Sequence, residues 1–233
     1  MPKSIRRLSF AAWILLIVAA VLAAAPGHPP ARTSAASAAQ PAGPYARNLI
    51  ANGDAEAGGV PPGSWELVNG ELQTVKYGAA GNFPTLASPG PPDRGANFFG
   101  GGNQATTIAS QSVDLSAIGG AIDAGQVNYA VSGYFGGFLD EADTAFLEVN
   151  FQDAGHFFVD QVLIGSPTPA QRQNQTGLLF ASKQGVLPAD TRFLQIMVHM
   201  DRVSGATNDG YADNLSFVIT GPGTQAYLPL ITR

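Results

Sequence analysis

Three runs of this chain alternate with a period of two. In QVNYAVSGYF, residues 126–135, Val127, Tyr129, Val131 and Gly133 share one side, with Phe135 beyond them. In TAFLEVNFQ, residues 144–152, Ala145, Leu147, Val149 and Phe151 face one way, and Phe146, Glu148, Asn150 and Gln152 the other. In RFLQIMVHM, residues 192–200, Leu194, Ile196, Val198 and Met200 alternate with Phe193, Gln195, Met197 and His199. Successive side chains of a strand point to opposite faces, so this pattern predicts half-buried antiparallel strands. FQDAGHFFVDQVLI predicts two strands around a turn at Asp153, Ala154 and Gly155. Shorter candidates are RNLIANG, SWELVN, ELQTVKY, ANFFGG, QATTIASQSVDL and the run from Leu215 to Thr220. About nine antiparallel strands separated by turn signals predict an all-β sandwich of the jelly-roll type. One short helix or turn is expected at residues 115–125, where glycines weaken helical propensity.

Composition agrees. Charged residues make up 12% of the chain, with 28 Gly and 17 Pro, a balance that favours turns and strands. There is no cysteine, so the fold must rest on its core, a metal or both.

The N-terminus does not read as part of the fold. Lys3, Arg6 and Arg7 precede an apolar run from Phe10 to Ala25 that ends in small residues. A basic segment, an apolar segment and a small-residue exit make a secretory signal over residues 1–25. An uncleaved anchor is the alternative, although the run is slightly short for a span. Pro26 disfavours cleavage directly after Ala25, and a cut just before it or near Ala39 would serve. Residues 26–46, rich in Pro, Ala and Ser, predict a disordered spacer. A single β domain is expected over 47–221, followed by a tail over 222–233. Loss of the leader removes three basic residues, leaving nine against 17 acidic and a formal charge of −8 instead of −5. An acidic, exported domain gains nothing from phosphate backbones or anionic lipid, so nucleic acid and the membrane surface are poor partners.

Two end motifs carry a family resemblance. NLIANGDAEAG, residues 48–58, resembles the opening strand of galactose-binding-like jelly rolls, to which many carbohydrate-binding modules of exported bacterial proteins belong. GYADNLSFVI, residues 210–219, is similar to their closing strand, where an Asp just precedes an apolar run. PPDRGANFFGGG, SGYFGGFLDEADT and LPADTRFLQIMV resemble a related group of exported modules. The resemblance implies a structural calcium between the first and last strands. By position, Glu56 and Asp213 would be side-chain ligands, with carbonyls near Asn52 or Asp54 completing the shell. Calcium takes six to eight hard oxygen donors, which distant carboxylates supply only if the fold unites them. The competing reading makes Asp54 and Asp209 turn caps and Asp213 an acceptor of backbone hydrogen bonds. The chain departs from the family at Ala55, where the opening motif usually carries Phe.

The resemblance also implies a glycan or another cell-surface polymer as ligand. Trp65 reads as a core residue rather than a sugar platform. The candidate contacts are Tyr134, Phe138 and Asp140 in GYFGGFLDE, with Asn150, Gln152, Gln195 and His199 on the polar faces of neighbouring strands. An ordinary solvated face is the alternative for all of them. Asp140, Glu141 and Asp143 read as a solvated acidic loop or a second cation site. Asp93 and Arg94 read as an ion pair pinning their loop, or Asp93 as a ligand.

Catalysis finds little support. The chain has no HExxH, no GxSxG elbow, no nucleophilic cysteine and no phosphate-binding glycine loop before a helix. Three functions remain in order: a non-catalytic recognition module, a purely structural cell-surface or matrix protein, and a hydrolase with a dispersed site. YLPLITR, residues 227–233, reads as an anchoring signal or a strand packed on the domain edge.

Overall fold

The computed structural model describes residues 43–59 and 61–222. The expected signal, most of the expected spacer and all but the first residue of the expected tail lie outside them. Ten strands form in chain order. They are β1 (Glu66–Asn69), β2 (Gln73–Lys76), β3 (Asn97–Gly100), β4 (Thr106–Asp114), β5 (Asn128–Gly137), β6 (Thr144–Gln152), β7 (Phe158–Gly165), β8 (Gly177–Val186), β9 (Phe193–Asp201) and β10 (Tyr211–Thr220). They pair into two five-stranded antiparallel sheets, β1-β4-β9-β6-β7 and β2-β3-β10-β5-β8. This is the all-β jelly-roll sandwich expected. Its one α-helix among the described residues is the single turn α1 (Gly119–Asp123), within the predicted segment.

The alternating runs explain the core. Leu147, Val149 and Phe151 of β6, Leu194, Ile196 and Val198 of β9, and Phe217 and Ile219 of β10 are fully buried between the sheets. Tyr129 joins them, its ring stacked on Phe217 at 5.4 Å. Trp65 is buried as expected, edge-on to Phe99, with Nε1 donating to the Asn52 carbonyl at 3.2 Å. Each large apolar side chain so buried contributes roughly 1.5–3 kcal/mol.

Three strand expectations need correction. The tenth strand, β8, was not foreseen. It is an edge strand buried only at its first two residues, so it shows no apolar alternation. The last strand begins at Tyr211 rather than Leu215, so Asp213 lies inside it and not at its mouth. The register of β10 against β5 shifts between Asp213 and Ser216, and Asn214 takes a φ of 49° there. Such a bulge breaks the alternation that a sequence reader follows. RNLIANG, finally, forms no strand. Its Asn48 makes an isolated bridge to Val218 of β10, as Tyr45 just before it does to Ile219, along the edge of β10 that β3 leaves open.

Candidate functional site

The first and last segments of the domain do lie side by side. Asn48 joins them: its Nδ2 donates to the Leu215 carbonyl at 3.0 Å, and its Oδ1 accepts from Phe217 N at 2.9 Å and Ile50 N at 3.0 Å. Leu215 N in turn donates to the Gly53 carbonyl at 2.8 Å. A Cβ on Gly53 would run into the Leu215 carbonyl, so only glycine permits this approach.

A pocket of about 420 Å³ opens where these segments meet. Asn48, Asn52, Asp54 and Glu56 line it from the first segment, Asp93 and Gly95 from a loop, and Asn214 to Ser216 from the β10 bulge. No Lys, Arg or His lines it. Glu56 accepts from Asn97 N at 2.8 Å, and Asp93 accepts from Asn214 Nδ2 at 3.0 Å. Arg94 does not pair with Asp93. It donates instead to the carbonyls of Thr85, Ser88 and Pro91 and lies over the Tyr77 ring.

Asp213 is fully buried and is not part of the pocket lining. Its Oδ2 accepts from Tyr77 Oη at 2.6 Å and its Oδ1 from Asn214 N at 2.7 Å. Burial pushes its carboxyl up to about 7, the nearby Glu56 and Asp54 charges add to the rise, and the two hydrogen bonds oppose it. Burial, then the Asp213 charge, pushes the Tyr77 phenol up as well. The lining offers carboxylate and amide oxygens and no basic side chain, but Asp54 Oδ1 accepts from Glu56 N and the Glu56 carboxylate from Asn97, and the three acidic side chains that gather within 4.8 Å among the described residues lie elsewhere. Asn52, Asp54 and Glu56 are thus brought together, with Asp213 buried nearby.

A second acidic group also assembles. Glu141, Asp143 and Asp209 each place a carboxylate oxygen within 4.8 Å of the others. Asp143 is occupied as a cap, accepting from Val203 N, Ser204 N and Asp209 N. Asp209 accepts from the hydroxyls of Tyr211 and Thr207. Burial, then the Asp209 and Asp143 charges, holds Glu141 above the usual carboxylate range. The sequence places Asp209 far from the other two, and only the return of the chain at β10 unites them.

The expected ligand contacts divide between the two sheets. Tyr134 and Phe138 pack against a small cluster of Phe98, Leu178 and Tyr211 on the β10 sheet, and Asp140 is exposed in the following loop. Asn150, Gln152, Gln195 and His199 sit together on the outward face of the other sheet. There, register aligns Ser112, Gln195, Asn150 and Gln161 in one row across four strands. Phe193 and Phe158 flank Gln152 in the next row. Asn150 Nδ2 donates to Glu148 Oε1 at 2.9 Å, while its buried Oδ1 has no partner. Gln152 Nε2 approaches Gln195 Oε1 at 3.4 Å. His199 stacks on Phe146 at 4.6 Å, and its Nε2 stands 3.2 Å from Glu148 Oε2 without the geometry of a hydrogen bond. Burial lowers its pKa, partly offset by the Glu148 and Asp201 charges. His156 stacks on Phe193 at 4.1 Å, and Phe157 and Phe158 stand exposed at the same end. Sequence reasoning missed this aromatic end, Gln161 and Ser112. The apolar run HFFV was the signal for the first, since two adjacent Phe cannot both face the core of one strand.

No protein-family model matches the chain, and no curated protein matches it. Solved structures do. The enzymatically active domain of bacteriophage CBA120 tailspike protein 4 superposes over 74% of this chain with a TM-score of 0.50 and 12% identity. The match spans 21% of that structure, about a fifth of its length. The chain is also similar to Family 16 Carbohydrate Binding Module-2, at 20% identity and a TM-score of 0.48 over 73% of this chain and 99% of that one. TmCBM61, solved in complex with beta-1,4-galactotriose, matches at 17% identity and a TM-score of 0.45 over 75% and 99%. At these identities the likeness is one of fold, which assigns no function by itself.

Proposed function

We propose that this chain is an exported, non-catalytic recognition module that binds a neutral glycan across the outward face of the β1-β4-β9-β6-β7 sheet. The row of Ser112, Gln195, Asn150 and Gln161, running into the aromatic row of Phe193 and Phe158, carries this reading. Amides offer paired donors and acceptors at fixed spacing, as sugar hydroxyls require, and aromatic faces receive the C–H surface of a pyranose ring. The register positions of this face hold Glu66, Asp114, Glu148 and Asp201 but no Lys or Arg. That charge repels uronates, sulfates and phosphates and accepts hydroxyl protons, hence a neutral glycan.

In the same reading a structural calcium sits in the pocket between the first segment and β10. Asp54, Glu56 and Asp93 would hold it with the Asn52 region, and Asp213 would add charge from the buried side. Calcium would join distant parts of a chain without disulfides and contribute nothing chemical to recognition.

Calorimetric titration against a panel of neutral and acidic polysaccharides tests the glycan site. Saturable binding to a neutral glycan is expected, lost in Asn150→Ala and Gln195→Ala at an unchanged melting point. Absence of binding to every neutral glycan, or binding that both variants retain, would remove this reading in favour of a purely structural protein. Turnover of a glycan by the unmodified chain would remove it in favour of a hydrolase.

A further inference from the structure

The outward face of the β2-β3-β10-β5-β8 sheet carries a groove of about 690 Å³ over β8, β5 and β10. Ala130 and Val218, partners in register, form its apolar floor. Val186, 51% exposed, stands on the β8 side. Arg47 stands on the other side, beside Asn48, which bridges to Val218. Register then aligns Ser182, Ser132 and Ser216 in one row across the three strands. Phe180 and Tyr134 pair in the next outward row, their rings 5.2 Å apart, with Phe180 47% exposed. From Ala130 to Tyr134 this track runs about 13 Å at strand rise.

The groove differs in charge from the other acidic surfaces of the domain. No Asp or Glu lines it, whereas three line the pocket at the β10 bulge and no basic residue does. Asp160, whose charge reaches the Tyr129 phenol, is not among its lining. The Arg47 guanidinium is exposed and has no hydrogen bond or ion pair among the described residues. The side chains of Asn128, Ser132, Gln184 and Ser216 likewise make no hydrogen bond among them. A guanidinium matches one carboxylate in charge and in its paired donors. Hydroxyls and amides match sugar hydroxyls, and the Ala130 and Val218 floor suits the C–H face of a pyranose. A fatty acyl chain would leave those polar groups unpaired, and a doubly charged phosphate would find one cation.

We propose that this groove is a second glycan site, specific for uronate sugars, in which Arg47 receives the carboxylate. Ser132 and Ser216 meet the ring hydroxyls at one end, and Asn128 and Gln184 those along the β5 and β8 side. A longer chain follows the serine row towards Phe180. The domain then carries a neutral-glycan face and a uronate groove on opposite sheets, and can bridge two kinds of polysaccharide.

Calorimetric titration of the full chain tests this with the trimers of galacturonate, glucuronate and mannuronate, each beside its carboxyl-reduced, neutral counterpart. EDTA is present, so that no cation joins a uronate to the acidic pocket. At least one uronate trimer is expected to bind saturably and roughly tenfold more tightly than its neutral counterpart. The difference should narrow as salt rises. Arg47→Gln is expected to erase it at an unchanged melting point, and Arg47→Lys to keep part of it. Absence of binding by all three trimers would overturn the proposal, as would equal affinity for each trimer and its counterpart, or a preference that Arg47→Gln retains. The amide row of the opposite sheet is read by neutral glycans and its own variants, so either site can fail while the other stands.

Discussion

Asn48 and Gly53 show how much of this domain turns on single residues. The Asn48 amide makes three hydrogen bonds to backbone that a smaller side chain would leave unmet. Asn48→Ala is expected to cost about 1–3 kcal/mol, seen as a lower denaturation midpoint with unchanged denaturant slope. Gly53→Ala should be at least as damaging, because its Cβ would meet the Leu215 carbonyl and not a side chain that can move. Asp213 sets a pH dependence. Its folded pKa of about 7 lies above the unfolded value near 3.9, so the folded state holds the proton more tightly. Stability is therefore greatest below the unfolded value and falls as the pH rises towards 7. In EDTA, melting curves of the native protein and Asp213→Asn should diverge across that window, the native protein losing more stability as the pH rises. Parallel curves would show that the Asp213 environment does not penalise its charge. The comparison is needed because His199, with its lowered pKa, contributes the opposite slope below its ordinary value. Asn48 was legible only as the first letter of a motif; its role as a clasp depends on where Leu215 and Phe217 arrive.

Strands with two unlike faces were legible, and strands without them were not. β6 and β9 alternate buried and half-buried residues throughout and β4 does so over its first six, and all three supply the polar row of the candidate glycan face. β8, at a sheet edge, buries too little to leave a pattern. At the bulge in β10 Asp213 is buried against the Tyr77 hydroxyl while Asn214 lines the pocket, a difference that no periodic reading anticipates. The β6–β7 hairpin brings Phe158 beside Gln152 only because its register shifts at that point. If the aromatic row stacks on sugar, Phe158→Ala should weaken glycan affinity roughly tenfold, about 1.4 kcal/mol, without moving the melting point. A Phe158→Ala variant that binds as the native protein does would confine recognition to the amide row.

The described domain is a sandwich with two different outward faces, one amide-rich and one divided between an aromatic cluster and a groove. No helix among the described residues is long and apolar enough to cross a membrane. Calcium added to EDTA-stripped protein is expected to raise the melting midpoint by several degrees, because a ligand specific to the folded state stabilises it by mass action. Glu56→Ala and Asp54→Ala should abolish the rise, and a flat titration would leave the clasp to Asn48 alone. The sequence by itself determined the class of this fold and its buried faces, because period-two patterning and local turn chemistry are properties of neighbouring residues; the nearness of its two end motifs was only what the family resemblance implied. Only the tertiary structure decided that Tyr134 and Asn150 belong to different sheets, that Asp209 joins Glu141 and Asp143, and that Asp213 lies beneath the pocket rather than in its lining. Those are matters of register and of which strands become neighbours, set by the packing of residues far apart in the chain.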